Sequence, residues 1–448
     1  MGGSKMEDNV MKEVTHDALT GLRDWGAFFQ DVKKSVTMSR RSHIVFVQLL
    51  QLKRINRKYN IHVGDRLLGE VADYLDKLDT NYTAYRTNNS RFMLMGPECS
   101  REEADGMLVR IRSRFQENWE IAYEGQKYDV QAKACLIHFF LEPMDTELDL
   151  LDKMNHAVSV FRAKERKGIL FFNEELNADM LRKRYILNEV RYAVEHKTFQ
   201  AFYQPIYDCN EKRFVSAESL IRLYGRDGTF LSPGEFIPMA EENGLIDGIS
   251  WIMLEKVCAF LGEHPDLPID AISVNMTGQQ ILDATFTRRI EENLEKYGVE
   301  GSRLRIEITE RTITDDFAEV RKVMEYLSEK GIQFYLDDFG TGYSNLSSML
   351  SLPFEVIKFD QSLIRMMDGT DKGQRTIGLL ADIMHENDYS IVAEGIETAG
   401  QVQNAFERNL DRIQGYYYAR PMPGEELAEF LAKYPGVEKT RENMSEDA

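Results

Sequence analysis

The sequence predicts an α/β protein in two parts, a C-terminal TIM-like (β/α)8 barrel preceded by an α/β sandwich of modest size. Three observations predict it. Eight short strand-like runs recur between residues 201 and 418, most of them separated by amphipathic helical stretches; eight strand–helix units in about 250 residues fit a barrel. The chain has 448 residues, which leaves roughly 200 for a second domain. Its composition, 43% hydrophobic and 29% charged, is that of a globular chain and excludes wholesale disorder.

Taken in order, Met1-Gly2-Gly3-Ser4-Lys5 reads as part of a leader, residues 1–14, which leaves room upstream for a sensor or anchor. Residues 15–173 form the first domain. Within it 44–50 reads as a strand, 63–78 as an amphipathic helix, and 83–86 with 92–95 as a hairpin around a polar turn. Residues 130–140 read as another strand and 148–164 as a helix. Residues 174–196 are charged and helical, with Met180, Leu181, Ile186, Leu187 and Val190 on one stripe, and read as a linker helix. The barrel spans 182–433. Its strands are expected at 201–206, 214–223, 271–276, 304–308, 333–337, 356–359, 390–393 and 413–418. A polar tail, 434–448, follows.

The net charge of −19 argues against nonspecific binding of a nucleic-acid polymer, which needs a basic footprint. A phosphate ligand would need a local reversal of that field, and divalent cations supply one. Cys99, Cys135, Cys209 and Cys258 are far apart and form no CxxC pair, so a reducing, cytoplasmic setting is expected. The apolar run 44–52 is interrupted by Gln48 and Gln51 and is too short for a membrane segment.

In a barrel of this kind reactive groups lie at the C-terminal strand ends. Those ends carry Gln204, Glu218 with Arg222, Asn275, Glu307 with Glu310, Asp337-Asp338, Lys358 with Asp360, Glu394 with Glu397, and Gln414. Singly, each has a bland reading. Asp337-Asp338 before Phe-Gly-Thr-Gly suits a turn or cap, Glu218 a paired structural acid, and Lys358 a snorkelling side chain. Jointly the bland readings fail, because so many acids at one mouth would repel without cations. Hard oxygen donors suit Mg2+ or Mn2+, and an acid cluster with an open position supports two-metal phosphodiester hydrolysis. Asp337 and Asp338 would contact different metals, Lys358 would position the attacking hydroxide or offset phosphate charge, and Arg222, on the same face as Glu218, would grip phosphate.

These residues resemble EAL domains. The likeness is carried by Tyr203-Gln204-Pro205-Ile206, Ala217-Glu218-Ser219-Leu220-Ile221-Arg222, Ser273-Val274-Asn275-Met276-Thr277 and Glu307-Ile308-Thr309-Glu310. It continues through Leu336-Asp337-Asp338-Phe339-Gly340-Thr341-Gly342-Tyr343-Ser344, Ile357-Lys358-Phe359-Asp360, Ala393-Glu394-Gly395-Ile396-Glu397-Thr398 and Gln414-Gly415-Tyr416. EAL domains are cyclic di-GMP phosphodiesterases that yield linear pGpG. The resemblance implies two Mg2+ or Mn2+ ions held by Glu218, Asn275, Glu307, Asp337, Asp338 and Glu394. It implies Lys358 as the water-activating lysine, Glu397 as a supporting acid, and Gln204, Arg222 and Gln414 near the dinucleotide. Glu310 would brace the loop 338–345, which reaches the dimer contact in this family, so a homodimer through the barrel is expected. Ser219 replaces the usual Ala and adds a hydroxyl near the metal site; Phe359 replaces a common Ile.

The first part resembles a GGDEF domain, which makes cyclic di-GMP from two GTP. Asp17-Ala18-Leu19-Thr20-Gly21-Leu22, Lys53-Arg54-Ile55-Asn56 and Val63-Gly64-Asp65 match. The chemistry does not: the signature turn reads Asn88-Asn89-Ser90-Arg91-Phe92, Gln48 stands for a metal-binding Asp, and Arg57 for a guanine-reading Asp. The inhibitory Arg-x-x-Asp is absent too. The expectation is a phosphodiesterase barrel behind a cyclase-inactive regulatory domain. The competing readings are a silent cyclic di-GMP receptor, which would lose ligands that are all present here, and a bifunctional enzyme, which the signature turn disfavours.

Overall fold

The structure is a computed structural model and describes residues 16–142, 146–163, 169–171, 174–309, 317–341 and 352–434. The leader, Glu310 and part of the loop 338–345 lie outside them. The chain divides into two compact units between Arg184 and Tyr185.

The N-terminal unit is built on a five-stranded sheet. Its strands are β1 (Ser42–Leu50), β2 (Thr83–Asn88), β3 (Arg91–Pro97), β6 (Lys133–Leu141) and β7 (Ile169–Phe171), in the order β2-β3-β1-β6-β7. β4 (Trp119–Tyr123) and β5 (Gln126–Val130) form a separate hairpin. Strand β1 is buried on both faces. Val45, Val47 and Leu49 pack with the helix Ile61–Asp76, and Ile44 and Phe46 with the helix Trp25–Thr37. That period of two makes a sandwich, with helices on both faces of the sheet.

The single strand expected at 130–140 is a correction. The chain turns at Glu124 and Gly125, whose φ angles are 48° and 77°, and β5 pairs back on β4. Two consecutive positive φ values suit a two-residue hairpin turn, so the ladder toward β1 begins only at Lys133.

The helix Glu174–His196 has the expected bounds. In the C-terminal unit the barrel strands are β8 (Gln200–Asp208), β9 (Arg213–Tyr224), β11 (Ala271–Met276), β12 (Leu304–Thr309), β13 (Gln333–Phe339), β14 (Val356–Phe359), β15 (Ser390–Ala393) and β16 (Arg412–Ile413). β10 (Phe230–Leu231) and β17 (Met422–Pro423) are short edge additions. β8 pairs with both β16 and β9 and closes the ring of eight.

Two features depart from a uniform (β/α)8 pattern. β8 and β9 join as a hairpin, and β8 runs antiparallel to both neighbours while the other seven are parallel. The last strand stops at Ile413 instead of Tyr418. Beyond it the backbone of Gly415 presses on Ile396, where a Cβ at 415 would sit 2.0 Å from the Ile396 carbonyl oxygen.

Barrel strands alternate between the shell of helices and the interior. Ile357 and Phe359 join the outer core, and Val356 joins Ile206, Tyr335 and Val392 in an apolar layer inside. Two residues further toward the mouth, the same alternation places Lys358, Asp337, Glu394 and Gln204 in the next interior layer.

Candidate active site

That second layer is polar. Lys358 is 1% exposed, and Nζ lies 2.7 Å from Glu394 Oε1, 2.9 Å from Glu307 Oε2, 3.1 Å from Glu218 Oε2 and 3.3 Å from Asp337 Oδ1. Four carboxylates from β9, β12, β13 and the end of β15 therefore meet one ammonium. Burial opposes the charge of Lys358, but attraction from Asp337, Glu218, Glu307 and Glu394 overcomes it and lifts its pKa well above the ordinary lysine value. Burial also opposes the charge of Glu218, yet Lys358, with hydrogen bonds from Gln414 and Asn275, holds its pKa below the usual value. Burial and repulsion from Glu218 push Glu307 well up, and burial raises Glu394 to about 8 against the pull of Lys358.

The amides complete the layer. Gln414 Nε2 donates to Glu218 Oε2 at 2.6 Å and to Gln204 Oε1 at 3.2 Å, and Gln204 Nε2 donates to the Ala419 carbonyl at 3.0 Å. Asn275, exposed at the mouth, donates to Glu218 Oε1 at 3.3 Å. Gln204 reaches this layer from the middle of β8, opposite Glu218, because β8 is reversed. It is not at a strand end as expected. Arg222 lies two periods of the alternation above Glu218, half-buried, opposite Gln200.

Asp337 and Asp338 sit in a β-bulge where β13 has one more residue than β14 between their paired positions. Asp337 faces Lys358, whereas Asp338 has φ 59° and its N–H donates to Asp337 Oδ1 at 2.9 Å. The bulge aims adjacent carboxylates in different directions. Gly340, at φ 105°, follows; a Cβ there would meet Leu363 Cγ at 2.6 Å.

Three residues take places that the motifs alone do not show. Ser219 faces away from the acids, because strand alternation turns it outward, and its hydroxyl donates to the Ser273 carbonyl at 2.6 Å. Asp360 caps the helix Gln361–Gly369 by accepting from Ser362 N. Glu397 is exposed in the turn beyond Glu394, apart from the Lys358 ring; its N–H donates to Gln401 Oε1. An apolar cleft of about 240 Å³ adjoins Asn275, lined by Ile237, Ile249, Met253 and Met276. It was not singled out from sequence, since its walls come from five separate elements.

Among the described residues no three acidic, His or Cys groups converge tightly enough to hold a metal as they stand, because the ammonium spans the acids. The donor set nonetheless fits divalent cations. Four carboxylates face one ammonium, and Glu307 Oε1 is buried without a hydrogen-bond partner among the described residues. A hard cation would satisfy that oxygen.

In the N-terminal unit, Gln48 and Arg91 are direct cross-strand partners, and Gln48 Oε1 and Asn56 Oδ1 are buried without partners among the described residues. Gly64 leaves room for Asn56, since a Cβ there would lie 1.9 Å from Asn56 Oδ1. Asp17 accepts hydrogen bonds from Thr20 and Arg86, which ties the opening motif to β2.

An EAL domain family profile matches residues 187–421, and a profile described as diguanylate cyclase, GGDEF domain, matches residues 14–168. The signaling protein YkoW of Bacillus subtilis is 28% identical over 96% of this chain and 54% of its own length. The bifunctional diguanylate cyclase/cyclic di-GMP phosphodiesterase MucR of Pseudomonas aeruginosa is 27% identical over 90% of this chain and 59% of its own length. The chain thus spans little more than half of these relatives. Among solved structures, the PaMucR phosphodiesterase in complex with c-di-GMP is similar at 29% identity, covering 54% of this chain and 99% of that one, with a TM-score of 0.51. No helix among the described residues is long and apolar enough to cross a membrane.

Proposed function

The chain belongs to the EAL domain family, with a GGDEF domain ahead of the barrel, and from that premise we propose that it is a metal-dependent phosphodiesterase opening cyclic di-GMP to linear pGpG. The observation that carries the reading is the convergence of Glu218, Glu307, Asp337 and Glu394 on Lys358 at the barrel mouth. A bifunctional cyclase/phosphodiesterase relative aligned over 90% of this chain, and a solved phosphodiesterase matched over 54% of it, support the reading.

Glu218, Asn275, Glu307, Asp337, Asp338 and Glu394 would hold two Mg2+ or Mn2+ ions. These ions would supply a water acidic enough to attack at neutral pH and would offset charge building on the phosphate. Attack on one ring phosphorus forms a P–O bond and breaks the bond to a 3′-oxygen, which leaves as a hydroxyl. Lys358, held as a cation, would orient the attacking oxygen and stabilise negative charge. Arg222 would grip a phosphate at the mouth with Gln204 and Gln414 near the dinucleotide, and Gln414 would also hold Glu218 in place. Glu397 and Glu310 would support the metal loop. The GGDEF domain would be regulatory and inactive as a cyclase, and a barrel-mediated homodimer, in the cytoplasm, completes the reading.

The test is incubation of the full chain with cyclic di-GMP and Mg2+ or Mn2+. Appearance of pGpG is the expected result. Tight binding with intact dinucleotide after hours would instead make the protein a silent receptor.

A further inference from the structure

We propose that Glu189, on the helix leading into the barrel, is a positioning residue for Arg222 and acts through Arg226. The inference rests on the reading of Arg222 as the phosphate grip.

β9 keeps its parallel partner β11 only across residues 216–218. Beyond Glu218 its mouth end is held by β8 on one edge and, at its tip, by the two residues of β10 on the other. Arg222 lies in this thinly held segment. Its Nη1 donates to its neighbour's carbonyl, Ile221 O, at 2.9 Å, and its guanidinium stands 5.3 Å from the Phe202 ring centre. The placement of its side chain therefore follows the course of the strand.

Directly past the strand the chain turns. Gly225 N donates to Thr229 O and Gly228 N to Gly225 O, both at 2.8 Å. Glu189 clasps this turn. Arg226 Nη2 and Nε donate to Glu189 Oε1 at 2.7 and 3.0 Å, and the backbone N–H of Arg226 donates to Oε2 at 3.0 Å. Glu189 is 4% exposed, so both its oxygens depend on this one residue. One helical turn earlier, Tyr185 Oη donates to Asp227 Oδ1 at 2.8 Å. The approach is so close that a Cβ on Gly225 would lie 2.1 Å from Tyr185 Oη.

The Arg226 side chain is largely exposed, so the ion pair alone is worth little. The fork instead serves to aim Glu189, whose bond to the Arg226 backbone N–H fixes where the chain goes rather than where a charge sits. Arg226 is four residues from Arg222, about 13 Å along an extended chain. On the other side, Arg222 faces Gln200, the first residue of β8, which follows the same helix. The helix thus brackets Arg222 from both directions.

The experiment is steady-state hydrolysis of cyclic di-GMP by the full chain carrying Glu189→Gln, Arg226→Lys, Arg222→Ala, and Glu189→Gln with Arg222→Ala. Glu189→Gln is expected to raise KM about tenfold with kcat within about twofold, since a misplaced grip loses uniform binding. The double variant should be no worse than Arg222→Ala. Arg226→Lys keeps the charge but loses the fork; it should raise KM by a smaller factor, and it serves where Glu189→Gln fails to fold. An unchanged KM in folded Glu189→Gln or, in its place, Arg226→Lys overturns the proposal. So does a KM effect that adds in full on top of Arg222→Ala, which marks a merely structural staple. An unchanged KM in Arg222→Ala itself instead overturns the reading of Arg222 on which the proposal stands.

Discussion

Glu307 reaches the Lys358 ammonium at 2.9 Å with Oε2 and leaves Oε1 buried with no hydrogen-bond partner among the described residues. One oxygen of this buried carboxyl is thus met and the other is not, and an unpartnered buried polar atom is costly.

Metal loss and rate loss should separate by residue. Glu218→Ala and Asp337→Ala are expected to abolish turnover, by at least about a hundredfold, together with Mn2+ affinity. Lys358→Ala should lose on the order of a hundredfold in rate with metal affinity largely kept. Without metal, Lys358→Ala leaves four carboxylates facing one another and should destabilise the barrel by about 3–5 kcal/mol. Mn2+ should then raise its melting temperature by about as much as the parent's. Calorimetric titration, melting curves and kinetics on the same samples decide this; parent-like activity in Lys358→Ala removes its assigned role.

Ca2+ should support turnover poorly. It accepts more ligands at longer distances than Mg2+, so the same donors would hold water and phosphate less firmly. Rates with Ca2+ within about threefold of those with Mg2+ would contradict this.

A homodimer through the barrel is expected, with the loop 338–345 coupled to it. Asp338 is both a proposed ligand and a residue at φ 59°, two residues before Gly340, so a shift in this loop would alter metal geometry. Sedimentation that finds only active monomer rejects the coupling.

Incubation of the full chain with GTP and Mg2+ should give no cyclic di-GMP. Gln48 stands directly across from Arg91, so an amide and a cation lie where two acids would be needed. Any cyclic product detected by mass spectrometry refutes this.

Acid should destabilise the N-terminal unit. His43 and His138 are buried and hydrogen-bonded to each other at 3.2 Å, with Tyr82 on His43 Nδ1 and Asp105 and Arg101 near His138. Burial lowers both from 6.5 to about 4, with His138 adding to the effect on His43 and Asp105 opposing it on His138. The unfolded chain therefore takes up protons below pH 6.5 that the folded unit refuses until about pH 4. Stability is present above pH 6.5 and falls as pH drops toward 4, by on the order of 2 kcal/mol per histidine at pH 5. Urea unfolding at pH 7.5 and pH 5 should show this loss in the parent and a smaller one in His43→Leu/His138→Leu. Equal losses in both would count against it.

What the sequence determined by itself was local or periodic. Eight strand-like runs, their inward positions two residues apart, and hard oxygen donors at one end were all readable along the chain. The bounds of the helix Glu174–His196 were readable from its stripe. The tertiary structure decided what depends on pairing over long distances. Strand direction leaves no local trace, so the reversal of β8, and with it the mid-strand place of Gln204, appears only when β8 meets β16 and β9. β16 ends at Ile413, and just beyond it Gly415 lies in backbone contact with Ile396, nineteen residues earlier in the chain. Ser219 is polar and next to Glu218, yet alternation puts it outside. Glu397 matches its motif yet lies apart from the Lys358 ring, because the turn after Glu394 carries it into solvent. Residue type and spacing nominate donors, but which of them share one enclosed layer follows from barrel closure, since only a closed ring brings Glu218 and Lys358, 140 residues apart, to 3.1 Å.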